Sequence, residues 1–205
     1  MQDISFILLG FFTGLSLILA IGAQNIFVIE QGLKKQYVFL VCLICSISDL
    51  LLIFLGIFLF EFFKNFFTNE VELVFNILLL AFLVYFIIGK IKIKYDELKV
   101  GFENNPISLK IIVIKTLGFT YLNPHVYSDT VFFLGNFSKN FLISQKYYFG
   151  IGASIASFLF FFCLGFLSKF LSKYLQNKIA WRFINSFIVI FMSILDFYVL
   201  LGILY

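Results

Sequence analysis

Residues 123–129 read Asn-Pro-His-Val-Tyr-Ser-Asp and lie inside an apolar segment, residues 111–134, that is long enough to cross a membrane. Pro124 removes one amide donor, and its ring collides with the carbonyl four residues earlier, so a helix must kink or open here. The carbonyls that this frees need partners, which lipid does not supply. His125 and Asp129 stand four residues apart and therefore share one helical face beyond the break. The stretch predicts a polar site within the membrane.

The composition indicates an integral membrane protein. Hydrophobic residues make up 62% of the 205 positions and charged residues only 13%, which is about half the charged fraction of a typical soluble domain. The net charge of +4 is too small for a nucleic-acid-binding protein. The three cysteines give no disulfide framework, and their apolar surroundings favour inert thiols.

Six apolar segments of about 20 residues are long enough to be transmembrane helices. They run over residues 4–29, 38–60, 71–88, 111–134, 147–167 and 184–204. The first segment is too long for a signal-peptide core, so we expect it to be retained. The predicted fold is therefore an all-α integral membrane domain that covers residues 1–205.

Two of these segments are interrupted at corresponding places. The first contains Gly-Ala-Gln-Asn-Ile-Phe at residues 22–27, and the fourth contains Asn-Pro-His-Val-Tyr at residues 123–127. Ser48 and Gly56 in the second segment recur at the same separation as Ser157 and Gly165 in the fifth. These patterns predict two inverted three-helix repeats, residues 1–88 and 111–205, with broken helices one and four. Corresponding broken helices are typical of a transporter site near the membrane midplane.

The basic residues predict the orientation. Three of the 15 basic residues lie in loops two and four, and the others lie in or next to loops one, three and five. Lys115, inside the fourth segment, can extend toward the same side as the basic loops. Since basic loops stay in the cytoplasm, we expect both termini on the outer side.

Acidic residues inside the segments are the first candidates for function. Asp49 lies near the centre of the second segment and Asp129 in the fourth, and Asp196 in the sixth is a possible third acid. A carboxylate within the bilayer costs about 3 kcal/mol on insertion scales. It binds a cation, pairs with a donor, or takes up a proton. The structural alternative for each is a neutral Asp hydrogen-bonded to a neighbouring helix.

Uncharged polar residues are the second group of candidates. His125 is the only histidine, which excludes a two-histidine metal site, and one histidine with scattered Asp residues is poor zinc geometry. It could relay protons or bond a carbonyl freed by the break. Gln24 and Asn25 offer donors and acceptors suited to an amino acid's ammonium and carboxylate groups, or they hold helices together. We predict no metal and no cofactor.

Several stretches resemble the LysE/ArgO family of transporters. Those stretches are Phe-Phe-Thr-Gly-Leu-Ser at residues 11–16, Ala-Ile-Gly-Ala-Gln-Asn-Ile-Phe-Val at 20–28, Cys-Ser-Ile-Ser-Asp at 45–49, and Phe-Thr-Tyr-Leu-Asn-Pro-His-Val-Tyr at 119–127. Members are bacterial inner-membrane exporters of lysine or arginine, driven by the membrane potential or a proton gradient. The resemblance implies that Asp49 and Asp129 are the family's intramembrane acids. It also implies a site lined by Gln24, Asn25, Asn123, Pro124 and His125.

The chain departs from the family pattern in three places. Ser128 replaces an apolar residue, Tyr121 replaces an aromatic residue that is often Trp, and Asp196 is an additional acid. An additional acid changes how many positive charges a cavity can hold. The resemblance therefore leaves open which basic amino acid is carried.

The expected function is export of L-lysine or L-arginine, with protons and the lipid bilayer as the other partners and no enzymatic activity. A neutral amino-acid exporter of the same superfamily is one alternative. A divalent-cation exporter that uses Asp49, Asp129 and Asp196 as oxygen ligands is another. A thiol electron carrier would need facing cysteines on two helices. An intramembrane enzyme would need a nucleophile beside His125 and Asp129, and none is evident.

Overall fold

A computed structural model describes residues 2–19, 22–66, 68–91 and 108–172, and separate positions between 183 and 201. Within this part of the chain all regular structure is helical. The helices are α1 (Gln2–Ile18), α2 (Ala23–Lys34), α3 (Val38–Phe66), α4 (Asn69–Ile91), α5 (Leu109–Tyr121), α6 (Pro124–Tyr127), α7 (Leu134–Phe137) and α8 (Ile143–Leu171). A π-helical segment, Ser128–Phe133, joins α6 to α7.

Two of these helices are long and apolar enough to cross a membrane, namely α3 over Val38–Phe60 and α8 over Ile143–Leu171. The pair α1 and α2 forms a third such element if the two are counted as one bent span. Helix α4 contains a shorter apolar stretch, Asn76–Ile88. The described residues between 183 and 201 are helical. The six-helix arrangement of two inverted repeats remains a prediction.

The first predicted span differs from the structure. The predicted interruption is present as an 83° bend between α1 and α2, but α2 continues to Lys34 instead of ending at residue 29. The early boundary was wrong because Glu30 and Gln31 are polar, yet both are buried within the helical bundle. The predicted basic loops at residues 92–107 and 173–182 lie outside the described residues.

The predicted break at Pro124 is present, and its local chemistry explains it. Pro124 is the first residue of α6, a position where its missing amide hydrogen is not needed. Asn123 precedes it as the cap, and its side-chain oxygen accepts a hydrogen bond from the His125 amide at 3.1 Å. The Asn123 carbonyl accepts a further bond from the Val126 amide at 3.2 Å. Helix α5 therefore ends at Tyr121, and a new helix starts at Pro124 after two intervening residues.

The π-helical turn after this break was not predicted. Its wider winding lets the Leu134 amide donate to the Asp129 carbonyl, five residues earlier. The backbone of this segment lies directly against Gly56 of α3. A Cβ atom at Gly56 would stand 2.5 Å from the Val131 Cα and 2.7 Å from the Thr130 carbonyl oxygen. Only glycine allows this approach.

Helix α8 lies at the centre of the described bundle and contacts α1, α2 and α3. Its backbone touches that of α1, where Gly10 meets Phe149 and Gly152 meets Ile7. This agrees with the role of small residues in close helix packing within membranes. On the other side of the bundle, α2, α4 and α5 enclose a buried cluster that includes Phe27, Phe86 and Phe119.

Replacing Gly56 by alanine is expected to destabilise the protein by about 1–3 kcal/mol, because the added methyl group collides with the backbone of the π-helical segment. Thermal unfolding of the purified protein in detergent measures this. Gly22→Ala is the control, since the nearest atom to an added Cβ there is 4.0 Å away. Equal stability of the two variants would contradict the packing described for Gly56.

Candidate functional site

The two helix breaks lie next to each other. Gln24, in the first turn of α2, donates from Nε2 to the Thr120 hydroxyl near the end of α5 at 3.1 Å. A Cβ atom on Gly22 would lie 4.0 Å from the Asn123 side-chain nitrogen. Gln24, Asn25 and Asn123 are each between 6% and 7% exposed. The start of α2 and the end of α5 therefore form one buried polar region, which we call the break region.

Side chains bond carbonyls that the breaks release. Asn25 donates from Nδ2 to the Ile18 carbonyl at 3.1 Å and so bridges the gap between α1 and α2. The Tyr127 hydroxyl donates to the Tyr121 carbonyl at 2.9 Å and bridges the gap after α5. Unsatisfied carbonyls within the bilayer would each cost several kcal/mol. These bonds make the breaks stable.

At the Tyr121 carbonyl the capping bond comes from Tyr127, and capping of another carbonyl by the His125 ring remains a prediction. His125 uses its backbone amide to bond Asn123, while its side chain is exposed. Pro124 acts through the backbone, as the first residue of α6. A proton relay through His125 remains a prediction.

Asp49 is buried in the middle of α3, with 3% of its surface exposed. Ser157 of α8 donates its hydroxyl to the Asp49 Oδ2 atom at 2.8 Å. Within the described part of the chain, no lysine or arginine forms an ion pair with this carboxylate. Asp49 therefore has a neutral hydrogen-bond donor and no basic partner in that part of the protein. A cationic ligand could supply the missing charge.

Asp129 lies in the first turn of the π-helical segment and is half-buried. Helix α3 approaches this segment through a cluster of buried side chains, Leu52, Val126 and Val131. Leu52 lies one turn after Asp49, and Val126 follows His125 directly. The carboxylates of Asp49 and Asp129 are within electrostatic range of each other, as are Asp129 and His125. The structure thus brings Asp49, Asp129 and His125 to the same side of the bundle.

Asp196 is not joined to this group by any described contact. It lies in the helical part of residues 183–201 and is half-buried, and its Oδ1 atom has no hydrogen-bond partner among the described residues. Its role as an additional acid remains a prediction. The described residues also contain no group of three or more His, Cys, Asp or Glu side chains arranged to hold a metal ion.

Sequence reasoning missed three polar contacts of this region. Thr120 accepts from Gln24 and donates to the Thr116 carbonyl at 2.9 Å, so it links the start of α2 to the last turn of α5. Ser157 and Tyr127 were noted in motifs, but their partners were not foreseen. One signal was available for Ser157, since the spacing pattern matched it with Ser48, the neighbour of Asp49. No comparable signal in the sequence pairs Gln24 with Thr120.

These features define an all-helical membrane protein whose buried polar groups are gathered at two helix breaks. The model of the family described as LysE type translocator matches residues 15–202. The chain therefore belongs to the LysE translocator family, as the resemblance implied. A translocator family supports a transport role over an enzymatic one.

Curated relatives extend over most of the chain. The arginine exporter protein ArgO of Salmonella typhimurium is 34% identical over 205 residues, which cover 95% of this chain and 92% of the relative. The protein of the same name from Pectobacterium atrosepticum is 32% identical over 87% of this chain and 88% of its own length. The Klebsiella pneumoniae protein is 33% identical over 86% and 84%. No solved structure matches the chain.

Removing the Tyr127 hydroxyl tests the stabilisation of the second break. Tyr127→Phe is expected to lower the free energy of unfolding by about 1 kcal/mol, because the Tyr121 carbonyl loses its hydrogen bond within the bundle. Tyr147→Phe is the control, since Tyr147 is exposed on α8. Chemical unfolding in mixed micelles measures both variants, and an equal effect of the two would show that this hydrogen bond contributes nothing.

Proposed function

We propose that this protein exports basic amino acids, L-arginine or L-lysine, across the bacterial inner membrane. The observation that carries the proposal is the buried Asp49 carboxylate, which has a serine donor and no basic partner among the described residues. The cationic side chain of a bound substrate would supply the positive charge that pairs with this carboxylate. The curated relatives, which are named as arginine exporters, support the same class of substrate.

In this proposal the break region binds the α-carboxylate end of the amino acid. The first backbone amides of α2 point toward the break and carry the positive end of the helix dipole, which favours an α-carboxylate. Gln24, Asn25 and Asn123 add amide groups at the same place. In the proposed complex the side-chain cation pairs with Asp49 while the α-carboxylate lies at the start of α2.

Transport then requires the site to open alternately to the two sides. The proposed motion is a rocking of the two inverted repeats, residues 1–88 and 111–205. Glycine contacts support the repeat. A Cβ atom on Gly135, after the second break, would lie 2.7 Å from the Gly56 carbonyl oxygen of α3. A Cβ atom on Gly32, after the first break, would lie 2.6 Å from the Gly165 carbonyl oxygen of α8, so the two glycine pairs make corresponding contacts.

Release is the proposed role of the second acid. The substrate leaves outward past Asp129, and a proton that binds Asp49 or Asp129 removes the attraction for the cation. The membrane potential or proton gradient would supply the driving force. In the proposed orientation the basic loops face the cytoplasm and both termini lie outside.

Counterflow of labelled arginine and lysine in proteoliposomes tests the proposal. Wild type is expected to exchange one or both of these amino acids. In Asp49→Asn the exchange rate is expected to fall by about 100-fold or more, because the variant lacks the charge that pairs with the substrate. Glu70→Gln, at an exposed position on α4, is the control and should exchange like wild type.

Three results would contradict the proposal. Normal exchange by both Asp49→Asn and Asp129→Asn at wild-type protein levels would exclude the proposed roles of these acids. Competition by leucine or homoserine without competition by arginine or lysine would point to the neutral amino-acid exporter. Sensitivity of the cells to divalent metals, without amino-acid exchange, would favour the metal exporter.

The proposed relay through His125 predicts a change in pH dependence. His125→Gln is expected to alter the dependence of export on external pH, because an amide cannot take up and release a proton as an imidazole can. Export measured in cells over a series of buffered media reports this. If the variant follows the wild-type profile, His125 has no part in proton transfer.

A further inference from the structure

A second buried carboxylate lies away from Asp49, on the half of α2 that leads out of the break region. Glu30 is 1% exposed, although it is six residues beyond Gln24 and near the end of its helix. Its Oε1 atom forms an ion pair with the Lys34 ammonium at 2.5 Å. Lys34 belongs to the same helix, one turn further on. The carboxylate end of this ion pair is therefore buried in the bundle, while the Lys34 side chain is partly exposed.

A second lysine lies at the same level on the opposite helix. Helix α2 starts and α5 ends at the Gln24–Thr120 contact, and Phe27 stacks on Phe119 with ring centroids 4.7 Å apart, so the two helices run side by side in opposite directions. Glu30 lies six residues after Gln24, and Lys115 lies five before Thr120. At 1.5 Å per residue both stand roughly 8–9 Å from the contact.

Lys115 joins the same group of charges. It is within electrostatic range of both Glu30 and Lys34. Its ammonium lies over the ring of Phe86 in α4, 5.8 Å from the centroid. The helices thus carry three successive layers between the break region and their outer ends. These are an amide–hydroxyl layer, an aromatic layer of Phe27, Phe119 and Phe86, and a charged layer.

The charged layer has the chemistry of a cation-binding site. A carboxylate accepts charge-assisted hydrogen bonds from an ammonium or a guanidinium, and an aromatic ring attracts the same cations through its face. Both groups are present where the charged layer meets Phe86 of the aromatic layer. Lys34 lies beside the Glu30 carboxylate and Lys115 beside the Phe86 ring. Packing alone does not require this arrangement, since apolar residues would join α2 to α5 without desolvating three charges.

We propose that Glu30 and Phe86 form a loading site for the cationic end of the transported amino acid, with Lys34 and Lys115 holding the site while it is empty. This rests on the proposed function and adds a first binding position to it, at the end of the bundle that the basic residues predict to be cytoplasmic. The Phe27–Phe119 stack separates the loading site from the break region. The cation passes to Asp49 when that stack opens.

Initial uptake of labelled arginine into inside-out membrane vesicles tests the loading site from the cytoplasmic face. Glu30→Gln is expected to raise the half-saturation concentration by about tenfold, through loss of a charge-assisted hydrogen bond. Lys115→Met is expected to lower it by several-fold, because a competing ammonium is gone. Lys110→Met, at an exposed position near the start of α5, should match wild type.

A pair of phenylalanine variants tests whether the Phe86 ring itself contacts the substrate cation. Phe82 and Phe86 both pack against Phe119, at 4.7 and 5.0 Å, whereas the Lys115 ammonium lies over Phe86. Phe86→Leu is expected to raise the half-saturation concentration by a few-fold, with Phe82→Leu as the matched control. Equal effects of the two leucine variants would overturn the role of Phe86.

The outcomes also separate this inference from the proposed function. Uptake of arginine by wild type but not by Asp49→Asn supports the proposed exporter. If, in that case, Glu30→Gln and Lys115→Met leave the half-saturation concentration unchanged or shift it in the same direction, the loading site is wrong while the proposed export function is retained. If Glu30→Gln fails to accumulate in the membrane, Lys115→Met and Phe86→Leu decide. Absence of arginine and lysine uptake by wild type would overturn both.

Discussion

Lipid offers no hydrogen bonds, so a chain that breaks two helices inside a membrane must find partners for the backbone groups it releases. This chain finds them in its own side chains. Asn25 bonds the Ile18 carbonyl, Tyr127 bonds the Tyr121 carbonyl, and Gln24 links the start of one broken helix to Thr120 near the end of the other. These bonds hold the breaks open and adjacent, and a polar region within an apolar bundle is the result.

The buried acids follow from the same constraint. Asp49 is tolerated because Ser157 donates to it across the α3–α8 contact, and glycines bring the surrounding backbones close. Gly56 allows the π-helical segment with Asp129 to lie against α3, so the two acids share one side of the bundle. Glu30 is stabilised differently, by lysines instead of a hydroxyl. A carboxylate paired within the protein, and one without a basic partner in the described part of the chain, suit successive positions of a moving cation.

The sequence predicted those features that covalent chemistry or composition determines. Pro124 cannot continue a helix, so the second break was foreseen to within a residue, and the long apolar runs predicted the spans of α3 and α8. Features that depend on a neighbouring helix were not foreseen. The π-helical turn requires the space above Gly56, and the pairing of Gln24 with Thr120 joins residues 96 positions apart. The burial of Glu30 depends on the helices packed around α2. The predicted third acid, Asp196, has no described link to the site.

The central claim is that the Asp49 carboxylate binds the cation of the substrate. Ligand-induced stabilisation of the purified protein tests this most directly, because a ligand that binds the folded state raises the unfolding temperature. The account predicts a rise with L-arginine or L-lysine, none with L-leucine, and no rise in Asp49→Asn protein that remains folded. An equal rise with leucine, or a rise that persists in Asp49→Asn, would contradict it.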